Sequence, residues 1–554
     1  VELDDNATED VAPSYLSDQR SVTMPKTSLS VKLRGKLAGD PILANRLMRL
    51  LGAKRVEKLG RKSAIRAAQQ AYETTPYYRE LYEANGFDTK RMKRLDWEGF
   101  LSLPMTSKAA TVNIEDEELL DHTLAFPRDD ALIGRSSGTT RKPVIWPTGW
   151  NEFYLLRAVF EHGLREVGGD RYPTAVVLMM GMDGLELAGT MAFRAFFSLK
   201  EELRWPFEVF LTGEDTSDVT AVLKWLARRN LHSLFVVSFP GTFESVLTAV
   251  AADPQAQDVW SQFQRKKLIL GGQLVAKPLR ERVAQELAIP EHDMTGLEVL
   301  YISSDSGHAI AHTTPFVSWL QRFLSDRPDL YDVLGLAAEH RAKSILEFVP
   351  PFSMYIESNE GGIEGALLTT WKHRPLVRYQ SRDLLWVKTA REITTMLNKH
   401  AKGWKSDFRR LGYGPRFIPS TALIGVVLGR ADDIRIVNSA NISPDILRHA
   451  LELAGILPNI HHFKHDTDED TPLAYFVYLE LPNQEDEAKL HELEAAWHPL
   501  LLDALTDMPE ISSVLLAPFK KVIDLRLFVR SRGTEEFEGD DMLAKRSYVP
   551  VRKA

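Results

Sequence analysis

Apolar positions along the chain fall into three successive patterns. From "PILANRLMRLLGAKRVEKLG" (41–60) through "AIRAAQQAYETTPYYRELYEANGF" (64–87) they recur every three or four residues, the spacing of helices with one buried face. The pattern then changes. Short continuous apolar runs, "TAVVLMM" (174–180), "SLFVVSF" (233–239), "KLIL" (267–270) and "LEVLYI" (297–302), read as buried strands. Helical stretches such as "VTAVLKWLARR" (219–229) and "PLRERVAQEL" (278–287) separate them. Strand alternating with helix predicts an α/β architecture with a largely parallel sheet. A further break comes at "GRADD" (429–433). Beyond it the pattern predicts strand "IRIV", helix "SPDILRHALELAG", a strand, strand "LAYFVYLEL", a charged helix over 485–506 and strand "SSVLLAP" (512–518). That is a compact α+β unit of domain size. The organisation expected is a polar extension over residues 1–40, a large α/β domain of mixed and parallel sheets flanked by helices over 41–428, and a small α+β domain over 429–554.

Composition narrows the functional classes. A chain of 554 residues with 44% apolar and 26% charged positions is ordinary for a globular protein of more than one domain. A net charge of −8 argues against a nucleic-acid or anionic-membrane surface. No apolar run approaches the ~20 residues of a membrane span, and the acidic start "VELDDNATEDVAPSY" lacks the order of a signal peptide. There is no cysteine, which excludes disulfides, thiolate metal sites and a cysteine-bound acyl intermediate, and fits a cytoplasmic protein. No H-E-x-x-H occurs; His461 and His462 are adjacent, so in a strand they point to opposite faces and do not share a metal.

One stretch carries candidate chemistry: "RSSGTTRKP" (135–143). Ser136, Ser137, Thr139 and Thr140 offer hydroxyls, Gly138 lets backbone amides approach, and Arg141 and Lys142 bring positive charge. Those are the requirements of a polyphosphate. The stretch is not a Walker A loop, since no Gly-Lys-Ser/Thr follows at the right spacing. "ALIG" before it and "VIWP" after it both read as strands, and a helix begins near Thr148 with Leu156, Val159, Phe160 and Leu164 on one face. The loop therefore joins two strands rather than a strand and a helix. A solvated hairpin turn has the same composition.

With that loop as anchor, the chain resembles the adenylate-forming enzymes: acyl-CoA synthetases, nonribosomal peptide adenylation domains and luciferases. The phenylacetate-CoA ligase branch is the most similar. Its phosphate loop reads S-S-G-T-T-G-K-P; here Arg141 replaces the second glycine. "TTPYYRELYEANGFD" with "LPMTSK" resembles that branch's N-terminal signature. "LILGGQLVAKPLRERV" resembles its Gly-Glu-x-Leu segment, with Gln273 in place of Glu. "LYISSDSG" lies where the family has Tyr-Gly-x-Thr/Ser-Glu. The resemblance makes Tyr301 the residue that stacks on adenine, Ser304 an α-phosphate contact and Asp305 the magnesium ligand, an aspartate where the family has glutamate, while Ile302 replaces Gly. "EGALLTTWKHRPLVRYQSRDLLWV" assigns Asp383 to the ribose hydroxyls. "LGRADDIRIVNSANISPDILRHAL" resembles the hinge signature, with Arg430 a nucleotide contact and Asp432 the hinge of a mobile C-terminal domain. "DDMLAKRSYV" resembles the segment of the catalytic lysine, which would be Lys545. The resemblance spans residues 70–550.

What it implies is ATP- and Mg²⁺-dependent conversion of a carboxylic acid to an acyl-adenylate with release of pyrophosphate, Lys142, Ser304 and Lys545 being the catalytic residues. Transfer to coenzyme A follows, or to an amine or a carrier-protein thiol. The cysteine-held zinc of some relatives is excluded. The acyl pocket is expected at "MGMDGLELAG", "SFPGTF", "LGGQ" and "SSDSGHAIAH", with Met182, Phe239, Gly271, Gly272, Ser303 and His308 lining it and an apolar or aromatic acid as ligand. His308 and His312 either meet a polar substituent or are ordinary loop histidines. A homodimer is compatible with the sequence. Two other classes stay open: a nucleotide-binding scaffold without catalysis, favoured by Gln273, Ile302 and Asp305, and, more remotely, a phosphotransferase, against which the missing kinase signatures argue.

Overall fold

The computed structural model describes residues 37, 40–111, 114–122, 132–135, 145–181, 187–256, 258–272, 275, 277–303, 305–306, 309–337, 340–357, 366–430, 435–437, 440–442, 444–468, 471–507, 524–532 and 534. Two helices, α1 (Pro41–Leu51) and α2 (Ala53–Thr74), open the described chain. Asp40 caps α1, its carboxylate accepting from the amides of Ile42 and Leu43, and Pro41 sits at the first turn where its missing N–H costs nothing.

Nine strands of the described residues make the central sheet. Five are parallel: β4 (Thr174–Met179), β5 (Phe207–Leu211), β6 (Ser233–Ser238), β7 (Arg265–Gly271) and β8 (Leu297–Ile302), in the spatial order β5-β4-β6-β7-β8. The crossover helices are Leu187–Leu203, Thr216–Ala227, Pro240–Ala252 and Lys277–Glu286. β4 and β6 are buried along their whole length, as their unbroken apolar runs predict. Successive residues point to opposite faces. Val177, Leu234, Val236, Leu268 and Leu270 pack with the last three of those helices, whereas Val176, Leu178, Phe235 and Ile269 pack with Leu187–Leu203 and with α3 (Trp150–Glu166).

The rest of the sheet departs from the expectation of a largely parallel one. β9 (Ala309–His312), β10 (Ile345–Phe348), β14 (Asp383–Thr389) and β15 (Leu423–Arg430) extend it in the order β8-β9-β10-β15-β14, and each of these pairings is antiparallel. Only the strands joined by helical crossovers are parallel to one another, as chain connectivity requires. A four-stranded sheet, β1 (Thr106–Ser107), β13 (Leu376–Gln380), β12 (Leu367–Thr370) and β11 (Tyr355–Glu357), lies beside it, and β2 (Leu132–Arg135) and β3 (Ile145–Thr148) form an antiparallel hairpin.

After β15 the strands form separate sheets. β16 (Arg435–Val437) pairs with β17 (Ala440–Ile442), and β18 (His462–Asp468), β19 (Thr471–Glu480) and β20 (Asp524–Arg530) make a three-stranded sheet. Helices Pro444–Leu453 and Glu487–Asp507 pack on that sheet through Leu447, Leu451, Leu501 and Leu505. The expected strand over 512–518 lies outside the described residues; the third strand that the structure shows is β20, whose "DLRLFVR" alternates exposed and buried positions. The expected extension over 1–40 lies almost entirely outside the described residues as well. Among the described residues no helix is long and apolar enough to cross a membrane.

Candidate active site

The carboxyl ends of β6, β7 and β8 lie side by side, on the edge of the sheet at which open α/β folds bind ligands; the strand order reverses between β4 and β6. Phe239 follows β6, caps the helix Pro240–Ala252 and is buried. Gly271 ends β7, and Gly272 continues at φ +80, a conformation that L side chains rarely adopt. Tyr301 is the penultimate residue of β8. Ser303 opens a tight turn after it: the Ser306 amide donates to Ser303 Oγ at 3.1 Å, and Ser306 Oγ to the Ser303 carbonyl at 2.9 Å. Asp305 lies in this turn.

From the other half of the sheet comes Asp383, the first residue of β14, paired in register with Arg430 of β15. The Tyr301 hydroxyl donates to the Asp383 carboxylate. Asp383 is buried, and its amide donates to Ser381 Oγ at 3.2 Å. Just before it, Arg382 has φ +62, a strained value for a side chain other than glycine. Of the residues expected to act on the nucleotide, Tyr301, Asp383 and the backbone of Arg430 are thus brought together at one edge. Ser136, Ser137, Gly138, Thr139, Thr140, Arg141, Lys142, Ser304, Asp432, Lys545, Met182, His308 and Gln273 lie outside the described residues. Residues 132–135 and 145–148, on either side of 136–144, are strands β2 and β3, as expected. α3 begins at Trp150, and Leu156, Val159, Phe160 and Leu164 are buried on it.

Four residues beside the Asp305 turn were not singled out by the sequence. The Tyr379 hydroxyl donates to Asp305 Oδ2 at 2.6 Å. The Lys372 ammonium donates to the Asp305 carbonyl. Lys372 and Arg374 both approach the ring of Trp146, 4.9 Å and 4.3 Å from its centroid, and all three are buried. Their signal was a Lys-His-Arg run, "TTWKHRP", between two apolar strands, which reads as a solvated turn until the fold buries it. The Asp305 carboxylate is a hard oxygen ligand of the kind that holds magnesium. Among the described residues no group of three or more His, Asp or Glu could hold a metal by itself. A magnesium ion here would rest on one carboxylate and on the phosphates of its nucleotide, a usual arrangement for that ion.

His312 is neither a loop histidine nor a residue of this edge. It ends β9, is buried, and its Nδ1 lies 2.9 Å from Glu298 Oε1. It belongs to a row of charged side chains near the opposite ends of the parallel strands. Lys267 Nζ bridges Glu298 at 2.7 Å and Glu166 of α3 at 2.6 Å, and donates to the Thr295 carbonyl at 3.0 Å. His162 lies 3.4 Å from Glu166 and 3.9 Å from Asp40. Burial by itself would raise the Glu298 pKa, but Lys267 and His312 outweigh it and hold the carboxyl at about 2. Glu347, one strand further on, is pushed up to about 6 by burial, with Thr314 Oγ1 donating to it at 2.7 Å.

Comparison with known proteins was made at three levels. No protein-family model matches the sequence, and no curated protein matches it. Solved structures do. The acyl acid amido synthetase AtGH3.15, in complex with 2,4-DB, matches with a TM-score of 0.51 at 12% identity, over 92% of this chain and 91% of its own. The fold of this chain is similar to that of the amido synthetase. Two further solved structures also match. O-succinylbenzoate coenzyme A synthetase from Bacillus subtilis, in complex with ATP and magnesium, has a TM-score of 0.37 at 16% identity over 72% of this chain and 66% of its own. An acyl-CoA synthetase-like protein from Dyadobacter fermentans has a TM-score of 0.31 at 15% identity over 72% and 84%.

Proposed function

We propose that the protein activates a carboxylic acid with ATP, forming an acyl-adenylate and pyrophosphate, and then transfers the acyl group to an acceptor. The observation that carries this reading is the meeting of Tyr301 and Asp383 at the carboxyl edge of an adenylate-forming fold. Asp383 is a carboxylate able to accept from both hydroxyls of a ribose diol, and the Tyr301 ring offers adenine a flat face while its hydroxyl fixes that carboxylate.

In the first step a carboxylate oxygen of the acid attacks the α-phosphorus, the bond to the β-phosphate bridging oxygen breaks, and pyrophosphate leaves with that electron pair. Negative charge grows on the α-phosphoryl oxygens, so catalysis is positional and electrostatic. We assign Ser136, Ser137, Gly138, Thr139, Thr140, Arg141 and Lys142 to the β- and γ-phosphates, Ser304 to the α-phosphate, and Lys545 to the oxygens developing charge. Asp305 is the residue that would hold magnesium, which when bound neutralises phosphate charge. Met182, Phe239, Gly271, Gly272, Ser303 and His308 line the acid pocket in this reading, and the apolar surroundings of Phe239 suit an aromatic or apolar acid. In the second step a nucleophile attacks the acyl carbon and AMP departs.

Coenzyme A is the acceptor in our first reading. An amine is the second, and one observation favours it: the likeness to the amido synthetase runs over 92% of this chain, against 72% for the two synthetases of coenzyme A type. In either case Asp432 is the hinge about which residues 429–554 change position, and the cysteine-free composition suits a reducing cytoplasm. The test is pyrophosphate exchange into ATP with a panel of aryl and fatty acids. Exchange driven by one acid class establishes adenylation. ATP binding with no exchange across the panel would overturn it in favour of a scaffold.

A further inference from the structure

β14 carries Asp383 at its first residue and leads, at Thr389, into the helix Ala390–His400. That helix, the helix Trp404–Arg410, α1 and the chain over 413–420 enclose a cavity of about 400 Å³ that opens to solvent. A cavity of this size takes one small molecule. β14 is seven residues long, which puts roughly 20 Å of strand between the cavity and Asp383. The cavity is therefore separate from the edge described above.

Its walls are fixed by the core and by hydrogen bonds. Ile393, Met396 and Leu397 turn one face of the helix Ala390–His400 into the core, where Trp404 and Phe408 join them. Arg391, Thr394 and Asn398, at i, i+3 and i+7, are left on another face, toward the cavity. Trp404 Nε1 donates to Asn398 Oδ1 at 3.0 Å and ties the two helices together. Arg49 of α1 donates to the carbonyls of Pro415 and Ile418, at 2.9 and 3.0 Å, and ties on the third wall.

The lining is one-sided in charge. Arg49, Arg391, Lys405 and Arg409 all face the cavity, and no Asp or Glu among the described residues does, although the chain has 76 acidic residues against 68 basic ones. Two carboxylates on the same helices are engaged elsewhere: Asp407 pairs with Arg410, and Glu392 closes a capping box on Thr389. Like charges around a concave surface repel one another and focus their field into it, which favours an anion there. Ser420 also lines the cavity, and its buried Oγ has no hydrogen-bond partner among the described residues. Tyr413 and Ile418 add apolar surface.

We propose that this cavity binds a soluble organic phosphate ester, its phosphate held by Arg391 and Arg409 with Ser420 as a further donor, and its carbon body against Tyr413 and Ile418. Guanidinium groups bond phosphate oxygens in pairs, and a dianion offsets this much positive charge better than a monocarboxylate does. The ester binds alongside ATP and does not compete with it.

The experiment is calorimetric titration of the full-length protein with phenyl phosphate and with glucose 6-phosphate, phenol being the uncharged control, with and without saturating ATP and magnesium. It is run on wild type, on Arg391→Gln combined with Arg409→Gln, and on Ser420→Ala. At least one ester is expected to bind and phenol is not. The double variant is expected to lose about tenfold or more in affinity for the ester and Ser420→Ala about threefold, with ATP leaving ester binding unchanged. Arg391 and Arg409 are exposed, so the double variant should melt with wild-type protein. Four results would each overturn the proposal: no binding of either ester; a loss below about twofold in the folded double variant; displacement of the ester by ATP, which would place it at the Asp383 edge; and binding to phosphatidic acid vesicles without affinity for the free esters, which would make the patch a lipid contact.

Discussion

The Tyr301 hydroxyl bonds the Asp383 carboxylate across 82 residues of chain, joining the last parallel strand of the central sheet to its outermost antiparallel one. Tyr301 is the penultimate residue of β8 and Asp383 the first of β14, so both lie at strand ends. Asp383→Ala is expected to weaken ATP binding at least tenfold, because two hydrogen bonds to the ribose are lost together. Tyr301→Phe keeps the ring and loses only the bond that holds the carboxylate, so its effect should be smaller, about threefold. Calorimetry with ATP measures both. Unchanged affinity in Asp383→Ala would remove the ribose assignment.

Lys267 is the only cation among the described residues within salt-bridge reach of both Glu166 and Glu298. Lys267→Met is therefore expected to destabilise the protein by about 3 kcal/mol, because it leaves the buried Glu298 and the half-buried Glu166 with only His312 and His162 as partners. Adding Glu166→Gln and Glu298→Gln to the same chain should restore much of the loss. Urea unfolding of the single and triple variants gives the comparison, and a single variant of wild-type stability would contradict it.

The same row sets a pH dependence with two opposing parts. Glu298 has a folded pKa of about 2, below its unfolded value, so its stabilising contribution is present above about pH 4.3 and is lost as pH falls toward 2. Glu347 has a folded pKa of about 6, above its unfolded value, so its contribution is present below about pH 4.3 and is lost as pH rises through 6. Glu347→Gln keeps the acceptor for Thr314 and removes the ionisation. It is expected to be more stable than wild type at pH 7 by about 2 kcal/mol and to equal it near pH 4. Urea midpoints across that range measure the difference, and a constant gap at every pH would rule out ionisation of Glu347 as its cause.

Two substitutions separate the chemical steps. Lys545→Ala should slow pyrophosphate exchange by about a hundredfold or more with ATP affinity nearly intact; exchange at the wild-type rate would show that Lys545 is not the catalytic lysine. Asp432→Pro should leave exchange near normal and block transfer, because it stiffens the backbone where the two arrangements differ. Equal loss of both steps would argue against a hinge. Arg448 of the C-terminal unit pairs with Glu244 of the core, so Glu244→Ala, which frees that contact, should alter transfer more than exchange.

By itself the sequence determined the elements whose burial is local. "TAVVLMM", "SLFVVSF" and "LEVLYI" could bury such continuous apolar surface only as central strands, and the helices between them forced those strands to run parallel. The flanks of "RSSGTTRKP" read as strands and pair as a hairpin. Tyr301 and Asp383 were legible as candidates through motif order alone. Tertiary structure decided what each of them touches. The antiparallel half of the sheet, the placing of β14 at its edge and the pairing of β20 with β19 depend on contacts between distant segments. The sequence did not single out Lys372, Arg374 or Lys267, and it left His312 as either a contact to a polar substituent or a loop histidine; the fold buries all four. Periodicity records which side of an element is buried but carries no information about the neighbour across the gap or the register in which it arrives, and those two quantities set every charged contact at the site and in the core.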